Sequence, residues 1–226
     1  MKILILAAME KEINLLLNIL DNLKETEVEG IKIAGGEFKH HTILIGKCGI
    51  GKVNAAINTL ILLRALKPDL LINSGVAGGA GLPISTVLVA DKVAYHDVWC
   101  GPGTEYGQAD GMPLFMLPSS EFLNMAKEIT EESLAATGLI CSGDKFISSA
   151  EEINNIREHF PEVRAVDMES AAIAQVALQT GTPFAVIRVV SDTPGEGENI
   201  SQYKDFWTKA PEKTFEVLKK FLTKIE

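Results

Sequence analysis

Cysteine is scarce in this sequence: three residues, Cys48, Cys100 and Cys141, in a chain of 226. They are widely spaced and form no C-x-x-C. That excludes a complete disulfide framework and a cysteine-based zinc cluster, and it suits a reducing compartment. Long apolar runs are missing as well. The longest near the start, Ile3–Met9, falls far short of the roughly 20 residues that cross a bilayer. A secretory leader is not expected either, because Glu10 and Glu12 stand where a small-residue cleavage site belongs. Positive charge is in deficit, with 21 Lys and Arg against 30 Asp and Glu and a net charge of −9. Capture of nucleic acid or of an anionic membrane needs clustered Lys and Arg, so neither partner is expected. Repeats, low-complexity tracts and linkers are also lacking. What is there is an acidic, cytoplasmic type of chain with 46% apolar residues. The length predicts one domain spanning 1–226.

Short apolar runs alternate with amphipathic stretches. Ile3–Ala8 reads as a buried strand, and Ile13, Leu16, Leu17 and Leu20 recur at helical spacing. Strands are expected at Ile31–Gly36 and Thr42–Gly46, then a helix carrying Val53, Ala56, Ile57, Leu60 and Ile61 that stops before Pro68. A strand at Leu70–Ser74 should end at a glycine corner, Gly75–Gly81, and another runs over Thr86–Tyr95. His96–Pro118 is rich in glycine and proline and reads as a long loop, usually functional or interfacial. Beyond it the pattern gives helices at Ser120–Glu132, Ala150–His159 and Met168–Gln179. Strands fall at Leu139–Ser142, Arg164–Val166 and Pro183–Val190, and one long helix covers Ser201–Lys224. The fold class is α/β, a central twisted mixed β-sheet with helices on both faces. Ligands in such folds sit at the carboxyl ends of strands. Here those ends are the residues after Ala8, the glycine corner after Ser74, and Ser191-Asp192 after Val190.

Most motifs fail on inspection. Gly46 to Lys52 fits G-x-x-x-x-G-K, but Val53 follows where a phosphate loop needs Ser or Thr for magnesium. The glycine corner is not G-x-G-x-x-G, so a dinucleotide site fails on spacing. His40-His41 reads as a surface turn rather than a metal site, because neighbours on a strand point to opposite faces. Ser191 lacks G-x-S-x-G. Three acids are more informative: Glu12 past the first strand, Glu169 at a helix start among small residues, and Asp192 after an apolar run. Three strand-end acids suit acid/base chemistry, and they would equally suit a cation such as magnesium.

Five segments occur in order: Ala8-Met9-Glu10-Lys11-Glu12, Gly49 to Ala56 (carrying Ile50), Ser142-Gly143-Asp144-Lys145-Phe146-Ile147, Val166 to Ala172, and Arg188-Val189-Val190-Ser191-Asp192. Together they resemble the methylthioadenosine/S-adenosylhomocysteine nucleosidases of the nucleoside phosphorylase superfamily. The resemblance implies hydrolysis of the N-ribosidic bond without metal or organic cofactor, in a homodimer that takes a small-molecule nucleoside. It implies that Asp192 protonates adenine N7 with help from Ser191, and that Glu12 activates water. Glu169 would grip the ribose hydroxyls and Met168 would pack on the sugar. Phe146 would stack on adenine, the backbone of Ile147 would pair with its edge, and Gly78 would let main chain approach. Ile50 joins the substrate-binding set, and Arg188 is expected to orient the loop around Asp192.

Phosphorylases of that superfamily bind phosphate with arginines, one just before the glycine corner. Here no Arg or Lys stands between Asp69 and Gly81, which favours water as the nucleophile. The departures are Val76 where Ser is common, Asp167 for Glu, Thr193-Pro194-Gly195 after the acid, and Trp99–Thr104 in place of an aromatic-bearing loop. That loop would close a partner subunit's pocket, or alternatively cover its own. A futalosine-type hydrolase, a phosphate-dependent phosphorylase and a non-catalytic nucleoside-binding module are the alternatives.

Overall fold

A strand that is apolar on both faces has to lie between two helical layers, and Ile3–Ala7 is fully buried. In a computed structural model that describes residues 1–132, 135–209 and 211–225, this segment is an interior strand of the sheet, paired on both edges. The chain runs β1 (Lys2–Ala7), α1 (Glu10–Leu17), β2 (Asp21–Val28), β3 (Ile31–Phe38), β4 (His41–Lys47), α2 (Lys52–Leu66), β5 (Leu70–Gly79) and β6 (Val87–Tyr95). It continues through α3 (Ser120–Glu132), β7 (Ala135–Ser142), α4 (Ala150–His159), β8 (Val163–Asp167), α5 (Ser170–Thr180), β9 (Phe184–Asp192), α6 (Asn199–Lys209) and α7 (Pro211–Lys224).

The strand order among the described residues is β2-β3-β4-β1-β5-β8-β7-β6-β9, and β9 returns to pair with β5. One half of the sheet therefore closes on itself. The mixture is as expected: β1 is parallel to β4 and β5, while β8 runs antiparallel to β5 and β9 antiparallel to β6. Leu4 and Leu6 face a core shared with Ala55, Leu62 and the alanines of α5. Ile3 and Ile5 face a second core with Ile13, Phe122, Leu218 and Phe221. Each such side chain contributes about 1.5–3 kcal/mol by leaving water.

Four expectations need correction. β2 was not anticipated, because almost all of its residues are exposed and an edge strand without an apolar face has no period-2 signal. β5 does not stop at Ser74 but continues to Gly79, since β9 pairs with it from Leu71 to Gly78. The glycines there mark close approach rather than a turn. The C-terminal helix is two helices, α6 and α7, the second opening at Pro211, where proline's fixed φ suits a first turn. Its expected apolar face is buried at Leu218, Phe221, Leu222 and Ile225, and the side chain of Phe215 lies outside the described residues. Finally, His41 is buried at the start of β4, with Nε2 3.2 Å from the Ile225 carbonyl, so it docks the C-terminus rather than forming a surface turn.

Candidate active site

The register of β5 against β9 puts Gly78 beside Asp192, and the register against β1 carries the residues after Ala7 to the same end of the sheet. A cavity of about 690 Å³, counting its open mouth, forms there. All nine residues singled out from the sequence line it: Glu12, Ile50, Gly78, Phe146, Ile147, Met168, Glu169, Ser191 and Asp192. Asp192 is the last residue of β9 rather than a loop residue.

Glu12 is the third residue of α1, and its side chain curls back over the helix start. Oε2 accepts from the N–H groups of Ala8 and Met9, each at 2.9 Å, and Oε1 accepts from Val76 N–H at 3.0 Å. These donors would be orphans at a bare helix start and strand bend, so the carboxylate is fixed by what it satisfies. Burial raises its proton affinity above the ordinary value, opposed by the nearby Arg188 charge and by the backbone donors.

Asp192 is equally buried. Ser191 Oγ lies 2.7 Å from Oδ1, and Asn199 Nδ2 donates to Oδ2 at 3.1 Å. Burial raises its proton affinity, while the two donors pull the other way. Asn199 opens α6 and also donates to the Ile147 carbonyl at 3.2 Å. The sequence reading missed it: no motif marks a lone Asn in a Gly/Glu-rich stretch.

Arg188 corrects an expectation. It does not brace the loop after Asp192. Its guanidinium, 1% exposed, lines the cavity floor and bridges β5, β8 and α5. Nη2 lies 2.9 Å from Asp167 Oδ2, 3.4 Å from Glu169 Oε2 and 2.8 Å from Asn73 Oδ1, and Nη1 donates to the Val76 carbonyl at 3.3 Å. Asp167 is thus an anchor; it also accepts from Ser142 at 2.5 Å and from Ser170. Glu169 faces Gly51 N–H at 3.1 Å, at the start of α2. The phosphate-loop look-alike therefore presents its helix N-terminus to the protein's own carboxylate. Burial first, and then Asp167, push the Glu169 proton affinity up against Arg188.

Val76 presents its backbone to both Glu12 and Arg188. Phe146, 42% exposed, meets Tyr203 edge-on at 5.7 Å at the cavity wall. Tyr203 was also missed, since α6 was expected only as part of a C-terminal helix packed by its apolar face. Pro194 packs on Gly78, where a Cβ would lie 3.0 Å from it. The 96–118 loop supplies no lining residue, so it does not cover its own cavity.

Residues 2–223 match the family model described as the phosphorylase superfamily. A curated 5′-methylthioadenosine/S-adenosylhomocysteine nucleosidase from Lysinibacillus sphaericus is 40% identical over the whole of both chains. The chain belongs to the nucleosidase branch of the phosphorylase superfamily. A solved nucleosidase of this family from Streptococcus pneumoniae, holding a transition-state inhibitor, superposes with a TM-score of 0.93, at 38% identity over all of both chains. A futalosine hydrolase mutant from Helicobacter pylori shares the fold, with a TM-score of 0.91 at 29% identity over 99% of each chain. Family membership makes the chain an N-ribosyl hydrolase.

Proposed function

We propose that this nucleosidase hydrolyses 5′-methylthioadenosine and S-adenosylhomocysteine to adenine and the 5′-thioribose, using no metal or organic cofactor. One observation carries the reading: two buried carboxylates, Glu12 and Asp192, both held by directed donors and both raised in proton affinity, share a cavity whose walls include Ile147, Met168 and Phe146. Water attacks the anomeric carbon and its proton passes to Glu12. The electrons of the breaking C–N bond move into adenine, and N7 takes the proton of Asp192. A raised affinity serves both tasks, because it keeps one group protonated as donor and makes the other a stronger acceptor. Glu169 accepts from the ribose hydroxyls, Met168 and Ile50 pack on the sugar side, Phe146 stacks on the base, Ile147 pairs with its edge, and Gly78 gives it room.

Water is favoured over phosphate by charge. Among the described residues, the one guanidinium lining the cavity is that of Arg188, already engaged by Asp167 and Glu169. A dianion would also meet Glu12. Arg188 reaches the site from β9, outside the Asp69–Gly81 stretch that lacks Arg and Lys, and it does so as a neutralised cation.

A futalosine-type hydrolase is the second reading, favoured by the non-aromatic Pro102 and Thr104 and by the likeness to the Helicobacter enzyme. We further propose a homodimer, supported by the exposed apolar side chains Val53 and Ile57 on α2 and Trp99 on the long loop. No helix among the described residues is long and apolar enough to cross a membrane. The test is a panel of methylthioadenosine, S-adenosylhomocysteine and futalosine, followed by product identity. Adenine from the first two supports the reading, and turnover of futalosine alone replaces it.

A further inference from the structure

Asn199 is an asparagine with 3% exposure at the first turn of α6, and both hydrogens of its side-chain amide are committed. One goes to Asp192 Oδ2 at 3.1 Å and the other to the Ile147 carbonyl at 3.2 Å. One rigid planar group therefore sets the distance between the proposed acid and the strip proposed to read the adenine edge. The other carboxyl oxygen has a different kind of neighbour. Ser191 carries a single hydroxyl hydrogen and two acceptors in reach, Asp192 Oδ1 at 2.7 Å and the Ala77 carbonyl at 3.3 Å. A proton on Oδ2 would confront the Asn199 N–H, which has no second acceptor there. A proton on Oδ1 only requires Ser191 to turn its hydrogen to Ala77.

We infer that Asn199 is a positioning residue that fixes which oxygen of Asp192 carries the transferable proton, with Ser191 as the rotor that accommodates it. This rests on the proposed role of Asp192 as the general acid. As the proton leaves, the Oδ1–H bond breaks and its electron pair stays on Oδ1. The N7–H bond forms, and Ser191 swings its hydrogen from Ala77 to the new anionic oxygen. Asn199 already donates to the other oxygen, so the carboxylate forms with one protein donor on each oxygen. The ionisable groups on the surrounding walls are Tyr203 of α6, Glu12 of α1, Asp167 and Glu169 beside α5, Lys145 before α4, and Arg188 on β9. None of these is a hydrogen-bond partner of Asp192; Ser191 and Asn199 are its two donors among the described residues. Removing Asn199 thus removes the one fixed donor to the ionised acid.

The experiment is the pH profile of kcat/KM for adenine release by the wild type, Asn199→Ala and Asn199→Ser, with thermal melting to follow folding. Asp192 must be protonated to act, so activity falls as pH rises through its value in the enzyme. Loss of the Asn199 donor weakens the acid: the high-pH limb moves up by about one unit and the plateau drops roughly tenfold. Asn199→Ser, which retains a short donor, lies between the two, and it keeps the comparison open if the alanine variant does not fold. A uniformly scaled profile with an unmoved limb overturns the inference and leaves a structural role only. Asp192→Asn separates the two failures. If it stays fully active, the acid assignment itself is wrong. If it is inactive while the Asn199 limb stays in place, only the present inference is lost.

Discussion

Glu12 and Arg188 converge over the bare Cα of Gly75. A methyl group there would lie 2.6 Å from Glu12 Oε1 and 2.3 Å from Arg188 Nη1. The proposed base, its neighbouring cation and the strand backbone are packed without room for one carbon. Gly75→Ala is expected to displace one of the two side chains. It should cost about 1–3 kcal/mol of stability by overpacking and on the order of 10²-fold in kcat/KM by misplacement. Denaturant titration and an adenine-release assay check the two effects separately.

Glu12→Gln keeps the shape but turns one acceptor oxygen into a donor against Ala8, Met9 or Val76 N–H. Loss of the base is expected to lower kcat by about 10²- to 10⁴-fold. KM should change little, because no substrate-contacting group is removed. Steady-state kinetics with methylthioadenosine measures both.

The same substitution has a signature in stability against pH. The Glu12 value is raised in the folded state above its ordinary 4.5. Its contribution is therefore complete below about pH 4.5 and is lost as pH rises through the folded value. Glu12→Gln removes that loss. Relative to the wild type, the variant should melt progressively higher as pH is raised from 4.5 toward neutrality. Parallel calorimetry on the two proteins detects it, and parallel curves would contradict the burial argument.

Lys52 pairs with Asp97 at 2.7 Å, and Asp97 in turn accepts from the Asp144 N–H at 2.8 Å, two residues before Phe146. Both partners are partly exposed, so Lys52→Met is expected to cost under about 1 kcal/mol. It should instead loosen the 144–147 strip and raise KM several-fold at nearly constant kcat.

The sequence made the buried strands and amphipathic helices plain, because both rest on apolar periodicity: α3 and α4 have the bounds that the pattern implies. β2 was invisible for the opposite reason, since its side chains face water and an edge is defined by its neighbour. The glycine corner misled because glycine marks both turns and close approach, and only the β5–β9 register shows which applies. The carboxylates stood out by their strand-end positions. Asn199 did not, and Arg188 was assigned the wrong neighbours, because their partners lie far away in the chain: Arg188 meets Val76 across β5, and Asn199 reaches back to Ile147. Such contacts are made by topology and carry no local signature.

The central claim is that water held at Glu12, and not phosphate, attacks the ribose. Turnover of methylthioadenosine in ¹⁸O-labelled water, with and without inorganic phosphate, tests it most directly. The expected result is adenine plus a free 5′-thioribose with ¹⁸O at the anomeric carbon, at a rate indifferent to phosphate. A sugar 1-phosphate product, or turnover that requires phosphate, would contradict it.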